Sequence, residues 1–200
     1  SAFPPDAAAG KQYFEGATAM QKSALLRDTL NDAVLRNGFN PQDLYQGSFF
    51  TRGGRALVAG ESSRANAREL MRFLLHLEQG RLVDGFSSRV LKKLLYVTER
   101  RVRYAAAPAL ADAAVYFKGG SWYRCEEEAG FECGQYRGNV INLMHSMAIV
   151  EAPAQSRRLH YLVVVMSNAL RRNAAYDHQQ LASAIHGLIA ARNRARLPRH

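Results

Sequence analysis

Residues 113–170 read AAVYFKGGSWYRCEEEAGFECGQYRGNVINLMHSMAIVEAPAQSRRLHYLVVVMSNAL, and this stretch decides the fold. It holds three runs rich in β-branched and aromatic residues: Ala113 to Phe117, Gly138 to Ala152, and Arg158 to Leu170. Such residues fit a pleated, half-buried surface, and glycine or proline clusters bound each run, so each reads as a strand. The first strand ends at Lys118-Gly119-Gly120, and Pro153 to Ser156 makes the turn between the second and third. Consecutive strands with short or bridged connections predict an antiparallel meander.

Outward from the meander the periodicity changes to that of helices. After it, Leu181, Ile185, Leu188 and Ile189 repeat on one face of a closing helix capped near Asp177, a face that must cover the sheet. Before it, Leu70, Phe73, Leu74 and Leu77 form a stripe in a helix capped by Ser62 or Ser63 and stopped by Gly80. A second helix, capped by Ser87 or Ser88, carries Val90, Leu91, Leu94 and Leu95. The link between these two helices is short, so they are expected to pack antiparallel. Further upstream, Leu26, Leu30, Ala33 and Val34 mark an amphipathic helix from Ser23 to Gly38, with Gly38 as a left-handed stop. Residues Gly53 to Gly60 suggest a loop with a short strand. The fold class is therefore α+β: a mainly helical region over 1–112, an antiparallel sheet with a closing helix over 113–193, and a basic tail over 194–200.

At 200 residues and 22.3 kDa, the chain is long enough for one hydrophobic core, and one domain or part of one is expected. With 48% apolar and 22% charged residues, disorder is excluded as the main state. The longest apolar run, Tyr161 to Met166, is far below the ~20 residues needed to span a bilayer, and no signal peptide opens the chain at Ser1. A soluble chain, or the mature part of one, is expected. The net charge of +10 would suit a polyanion, but the 27 basic residues are scattered, the arginines from Arg27 to Arg199, rather than concentrated with aromatic residues, so nucleic acid is not the expected partner. The run Arg192 to His200 reads as a solvated tail.

Cys125 and Cys133, the only two cysteines, lie in the polar connection between the first two strands. A local disulfide is geometrically easy there and favours an oxidising compartment, with two free thiols as the alternative. Two cysteines without a second ligand pair do not make a zinc site, and the six histidines include no HExxH, so no metal and no cofactor are expected. His178 and His186 read as structural or surface groups. Glu126, Glu127 and Glu128 read as a solvated acidic loop, or as a gate above Lys118.

A helical pair, a strand ending in Lys118-Gly119-Gly120, two further antiparallel strands with Asn168 after VVVMS, and a closing helix together resemble a known arrangement. They are similar to the C-terminal part of the serine β-lactamase and penicillin-binding-protein superfamily, over roughly Ser62 to Asn193. The resemblance implies a β-lactamase/transpeptidase-like fold in which Lys118 binds a substrate carboxylate and Gly120 allows close approach. Gly119 stands where that family has a hydroxyl residue, a role Ser121 could take. The nucleophilic Ser-x-x-Lys of the family is absent, since Lys11, Lys22, Lys92, Lys93 and Lys118 are preceded three positions back by Ala8, Ala19, Arg89, Val90 and Val115. No Ser or Tyr stands two residues before an Asn, so the family's second motif is missing too. No Gly-x-Ser-x-Gly elbow supports another hydrolase class.

The expected function is a serine hydrolase-type domain of a periplasmic or secreted, bacterial-envelope protein. It would act on a peptidoglycan-like or β-lactam-like amide or ester, with Lys118, Gly119, Gly120 and Ser121 binding substrate and a preceding segment of the same protein supplying the nucleophile. The alternatives are an inactive envelope binding domain of the same fold and a basic polyanion-binding protein.

Overall fold

The computed structural model describes residues 8, 12, 15–47, 62–98 and 101–196. The expected strand within Gly53 to Gly60 and the last residues of the basic tail lie outside these. Two compact units divide the chain, residues 1–69 and 70–200. No described helix is long and apolar enough to cross a membrane.

The first unit contains helix α1 (Ala19–Arg36) and a two-residue antiparallel pair, β1 (Leu44–Tyr45) with β2 (Arg64–Ala65). A capping box starts α1, in which Thr18 and Gln21 satisfy each other's backbone N–H. The helix therefore begins earlier than the apolar pattern indicated. Its end is the one expected: Gly38 takes φ +76, its N–H reaches Leu35 O, and Phe39 N–H reaches Val34 O. That pair of bonds satisfies two terminal carbonyls as in a Schellman motif. The expected apolar stripe is not buried, since Leu26 and Leu30 are 48% and 39% exposed.

The second unit is α+β. Helix α2 (Ala67–Glu78) leads into it, with α3 (Gly85–Tyr96) following; two short 3-10 turns (Arg103–Ala106 and Pro108–Leu110) precede the sheet. Strands β3 (Ala114–Arg124), β4 (Ile141–Ala152) and β5 (Leu159–Asn168) form the antiparallel meander in the order β3-β4-β5, and α4 (Ala175–Arg196) closes the fold. The caps differ from those expected. Asn66 Oδ1 accepts from Glu69 N–H to open α2, Asp84 Oδ1 accepts from Ser87 N–H to open α3, and Asn173 Oδ1 accepts from Ala175 N–H ahead of α4. Ser88 is instead buried inside α3, exchanging two hydrogen bonds with the backbone of Leu82. The residues from 194 to 196 belong to α4, so the helix reaches into the expected tail.

Directly paired residues of an antiparallel ladder share a face. From the register, Val115, Phe117, Gly119 and Ser121 of β3 lie with Val150, Ala148, Ser146 and Met144 of β4, and with Tyr161, Val163, Val165 and Ser167 of β5. This face carries the core: Val115, Phe117, Ala148, Val150 and Val163 pack with Tyr104, Leu110 and Ala182. Each large side chain so buried contributes about 1.5–3 kcal/mol. Helix α4 lies on it through His178, Ala182 and Ile185, while Leu181 and Leu188 of the expected stripe are 41% and 71% exposed. The helix packs chiefly on the two 3-10 turns, and its small Ala182 is fully buried in the core they share with the sheet. The opposite face carries Tyr116, Lys118 and Glu151, and α3 packs against β3 rather than along α2. Val90, Leu91 and Leu94 of the expected α3 stripe are exposed, and α3 turns Ser88 and Lys92 inward.

Candidate functional site

Lys118, Gly119, Gly120 and Ser121 do not end a strand. They lie in the middle of β3, paired in order with Met147, Ser146, His145 and Met144. Glycine is a poor strand former alone, but the unbroken β4 ladder overrides that preference. All four residues line a concavity of about 950 Å³, together with Thr98 after α3, Arg103, the hairpin-loop residue Tyr136, and Asn173 before α4. Strand β3 is an edge strand, and the concavity runs along it.

Lys118 is exposed, and its Nζ donates to the carbonyl of Gly119 at 2.5 Å. It has no acidic partner among the described residues. Arg103, which sequence reasoning missed, is the second cation of the concavity. It is 7% exposed and its Nη1 donates to the carbonyls of Gly120 (2.6 Å) and His145 (3.2 Å). The Tyr136 ring lies 5.7 Å from the guanidinium carbon. Burial pulls the Arg103 pKa downward, which the Tyr136 phenol partly opposes. No single-sequence signal separated this arginine from its neighbours in TERRVRY.

The loop that brings Tyr136 to the site is closed by a disulfide, Cys125–Cys133, with Cα atoms 5.9 Å apart. The expected pairing is present. Tyr136 itself holds a left-handed φ of +59 and packs edge-on against Tyr123. Two of the acidic residues of this loop have other partners than Lys118: Glu128 accepts from Asn139 and Arg171, and Glu126 pairs with Arg124.

Beneath the glycine pair lies a buried polar chain. Ser167 Oγ donates to Met144 O at 2.9 Å, so it accepts from His178 Nε2; the other ring nitrogen, Nδ1, then accepts from Ser146 Oγ at 3.0 Å. Burial, with Arg103 and His145 nearby, holds the His178 pKa below its ordinary value and favours this neutral form. Ser146 and His178 are each 2% exposed, so the pair braces α4 on β4 and β5 and does not open to the concavity. His186 bonds the Tyr161 hydroxyl, which separates the roles of the two α4 histidines.

On the other face, Glu78, Glu151 and His160 converge, their ligand atoms within 4.8 Å of one another. Three carboxylate or imidazole donors at that spacing could hold a metal, yet the Lys92 ammonium is already there, 2.8 Å from Glu78 and 2.7 Å from Glu151, and Arg157 bonds Glu151 as well. The cluster is an ion-pair lattice. Burial pushes the Glu151 pKa up, but the hydrogen bonds from Lys92 and Arg157 outweigh it and the net shift is downward. Tyr116, half-buried beside Glu151 and bonded to it, is pushed up to about 12 by that partial burial and by the Glu151 charge.

No protein-family model matches the chain, and no curated protein matches it.

Proposed function

We propose that the chain is the substrate-holding part of a serine hydrolase of the β-lactamase or DD-peptidase type, exported to the periplasm or secreted. In this reading the concavity along β3 receives a peptidoglycan-like or β-lactam-like amide or ester and fixes it by its carboxylate. The observation that carries the reading is a glycine-lined strand edge flanked by two cations, Lys118 and Arg103, neither of which has an acidic partner among the described residues. An unneutralised positive site beside approachable backbone selects an anion. The disulfide supports an oxidising compartment.

A second reading, binding without catalysis, is favoured by the lining itself. Among the described residues of the concavity no hydroxyl is bonded to a lysine or histidine, and Thr98 Oγ1 is committed to the carbonyls of Leu94 and Phe117. Without such a base a hydroxyl is a weak nucleophile. One experiment addresses both readings. The chain is titrated with a peptidoglycan stem peptide bearing a free C-terminal carboxylate while the fluorescence of Trp122, its single tryptophan, is followed; its mass is then measured after exposure to a penicillin-type probe. Saturable binding with unchanged mass is expected for this chain alone. A stoichiometric adduct would show a nucleophile within it, and absence of binding would remove the proposal.

A further inference from the structure

Gly119 is not required by its backbone. It sits in extended β3 with no left-handed φ, a conformation open to any residue. What crowds a side chain there is space: a Cβ at 119 would stand 3.2 Å from Arg103 Nη1 and 3.2 Å from Phe117 Cζ, so these groups would have to give by a few tenths of an ångström. At Gly120, by contrast, a Cβ would meet nothing within 4 Å. The Arg103 guanidinium therefore rests on the strand surface that the missing side chain leaves bare.

An arginine presents five N–H donors. In Arg103 only Nη1 finds acceptors, both of them ladder carbonyls; Nε and Nη2 have no partner among the described residues. Those atoms are not sealed from solvent, since none is among the buried side-chain atoms lacking a partner. A guanidinium 7% exposed and bordering the concavity, with no carboxylate beside it among the described residues, is a charge largely removed from water without a counter-charge there. Its backbone φ of +57, costly for a non-glycine residue, turns the chain at that point. Lys118 begins on the opposite face of β3 and already spends its ammonium on Gly119 O, so it has less to give.

Resting on the reading of the concavity as a carboxylate site, we propose that Arg103 rather than Lys118 is its main anion contact. Its Nε and Nη2 edge grips the ligand carboxylate, and Gly119 is glycine in order to seat the guanidinium. The planar fork matches two carboxylate oxygens, which a lysine does not reproduce.

The test compares the stem peptide with its C-terminal amide, by Trp122 fluorescence, on the wild-type chain and on Arg103→Met, Arg103→Lys, Gly119→Ala and Lys118→Ala. Each variant is first shown to be folded by its thermal melt. Wild type binds the acid more tightly than the amide. Arg103→Met loses that preference, weakening acid binding on the order of tenfold or more while amide binding is unchanged, and Arg103→Lys recovers only part of it. Should Arg103→Met fail to fold, Arg103→Lys carries the test, because it keeps a charge but not the planar fork, so a full acid preference in that variant overturns the inference. A folded Arg103→Met that keeps the full preference overturns the inference, and if Lys118→Ala then loses it, the proposed function survives with Lys118 as the contact. A wild-type chain that binds both peptides equally overturns the carboxylate reading itself.

Discussion

Replacing Lys92 by methionine removes the cation at the centre of the ion-pair lattice while keeping the length of its apolar stem. The ammonium lies 2.8 Å from Glu78 Oε1 and 2.7 Å from Glu151 Oε1, with side-chain exposures of 16%, 15% and 5% for the three residues. Unit charges this close attract by several kcal/mol at the effective dielectric of a protein site, and the desolvation of three ions offsets much of that. What decides the outcome is the group left behind. Glu151 stays buried with only Arg157, itself 54% exposed, and the Tyr116 hydroxyl. Breaking one partner of a buried pair costs about 3–5 kcal/mol, and the surviving Arg157 contact places Lys92→Met at the low end, about 3 kcal/mol. Urea unfolding at neutral pH measures it. Glu151→Gln alone should cost a similar amount, and the double variant should cost at least about 1 kcal/mol less than the sum of the two, because contacting charges are not additive. A Lys92→Met chain within about 0.5 kcal/mol of wild type, or strict additivity, would show that the lattice is solvated and refute the reasoning. The pH dependence follows from the depressed Glu151 pKa. Its contribution is present above the unfolded carboxylate range and is lost as pH falls through the lower folded value.

Opening the Cys125–Cys133 bridge by Cys→Ser at both positions should destabilise the chain by about 2.5 kcal/mol on the loop-entropy relation, seen as a lower urea midpoint, and should weaken stem-peptide binding because Tyr136 loses its tether. Equal midpoints with and without reductant would refute it. His178 and His145 have folded pKa values below the ordinary one, chiefly from burial, so the unfolded chain takes protons first. Stability should be flat above about pH 7 and decline as pH falls below about 6.5, and replacing His178 by Gln should reduce that slope. Phe117→Ala, at 1% exposure in the core, should cost about 3–5 kcal/mol by urea unfolding, whereas Trp122→Ala, at 53% exposure, should cost under about 1 kcal/mol.

The meander was legible because its signal is local. Runs such as YLVVVM state their own preference, and the antiparallel order follows from short connections. The helices were legible as elements but not as oriented objects. In α4 the sequence offered Leu181 and Leu188 for burial, and the fold buried Ala182 and His178, the latter held by two strand serines. Caps were misassigned where several good candidates stood together: Asp84 and Ser87 are both capable, and only the path of the chain before α3 decides between them. Of the candidate site, the Lys118-to-Ser121 run could be read from the sequence because two glycines after a lysine are locally conspicuous. Arg103 could not, because its meaning comes from Gly119 and Tyr136, residues 16 and 33 positions away that only the folded sheet brings beside it.

The outer border of β3 also governs how copies of the chain meet. A free strand border is a template on which another chain can zip, main chain to main chain. Here Thr98 Oγ1 donates to Phe117 O, and the Lys118 ammonium donates to Gly119 O, so two carbonyls that a second copy would need are occupied by side chains of the chain itself. A charged lysine on that border also repels its own image. The border is thus guarded against self-assembly where it is barest, at the glycines.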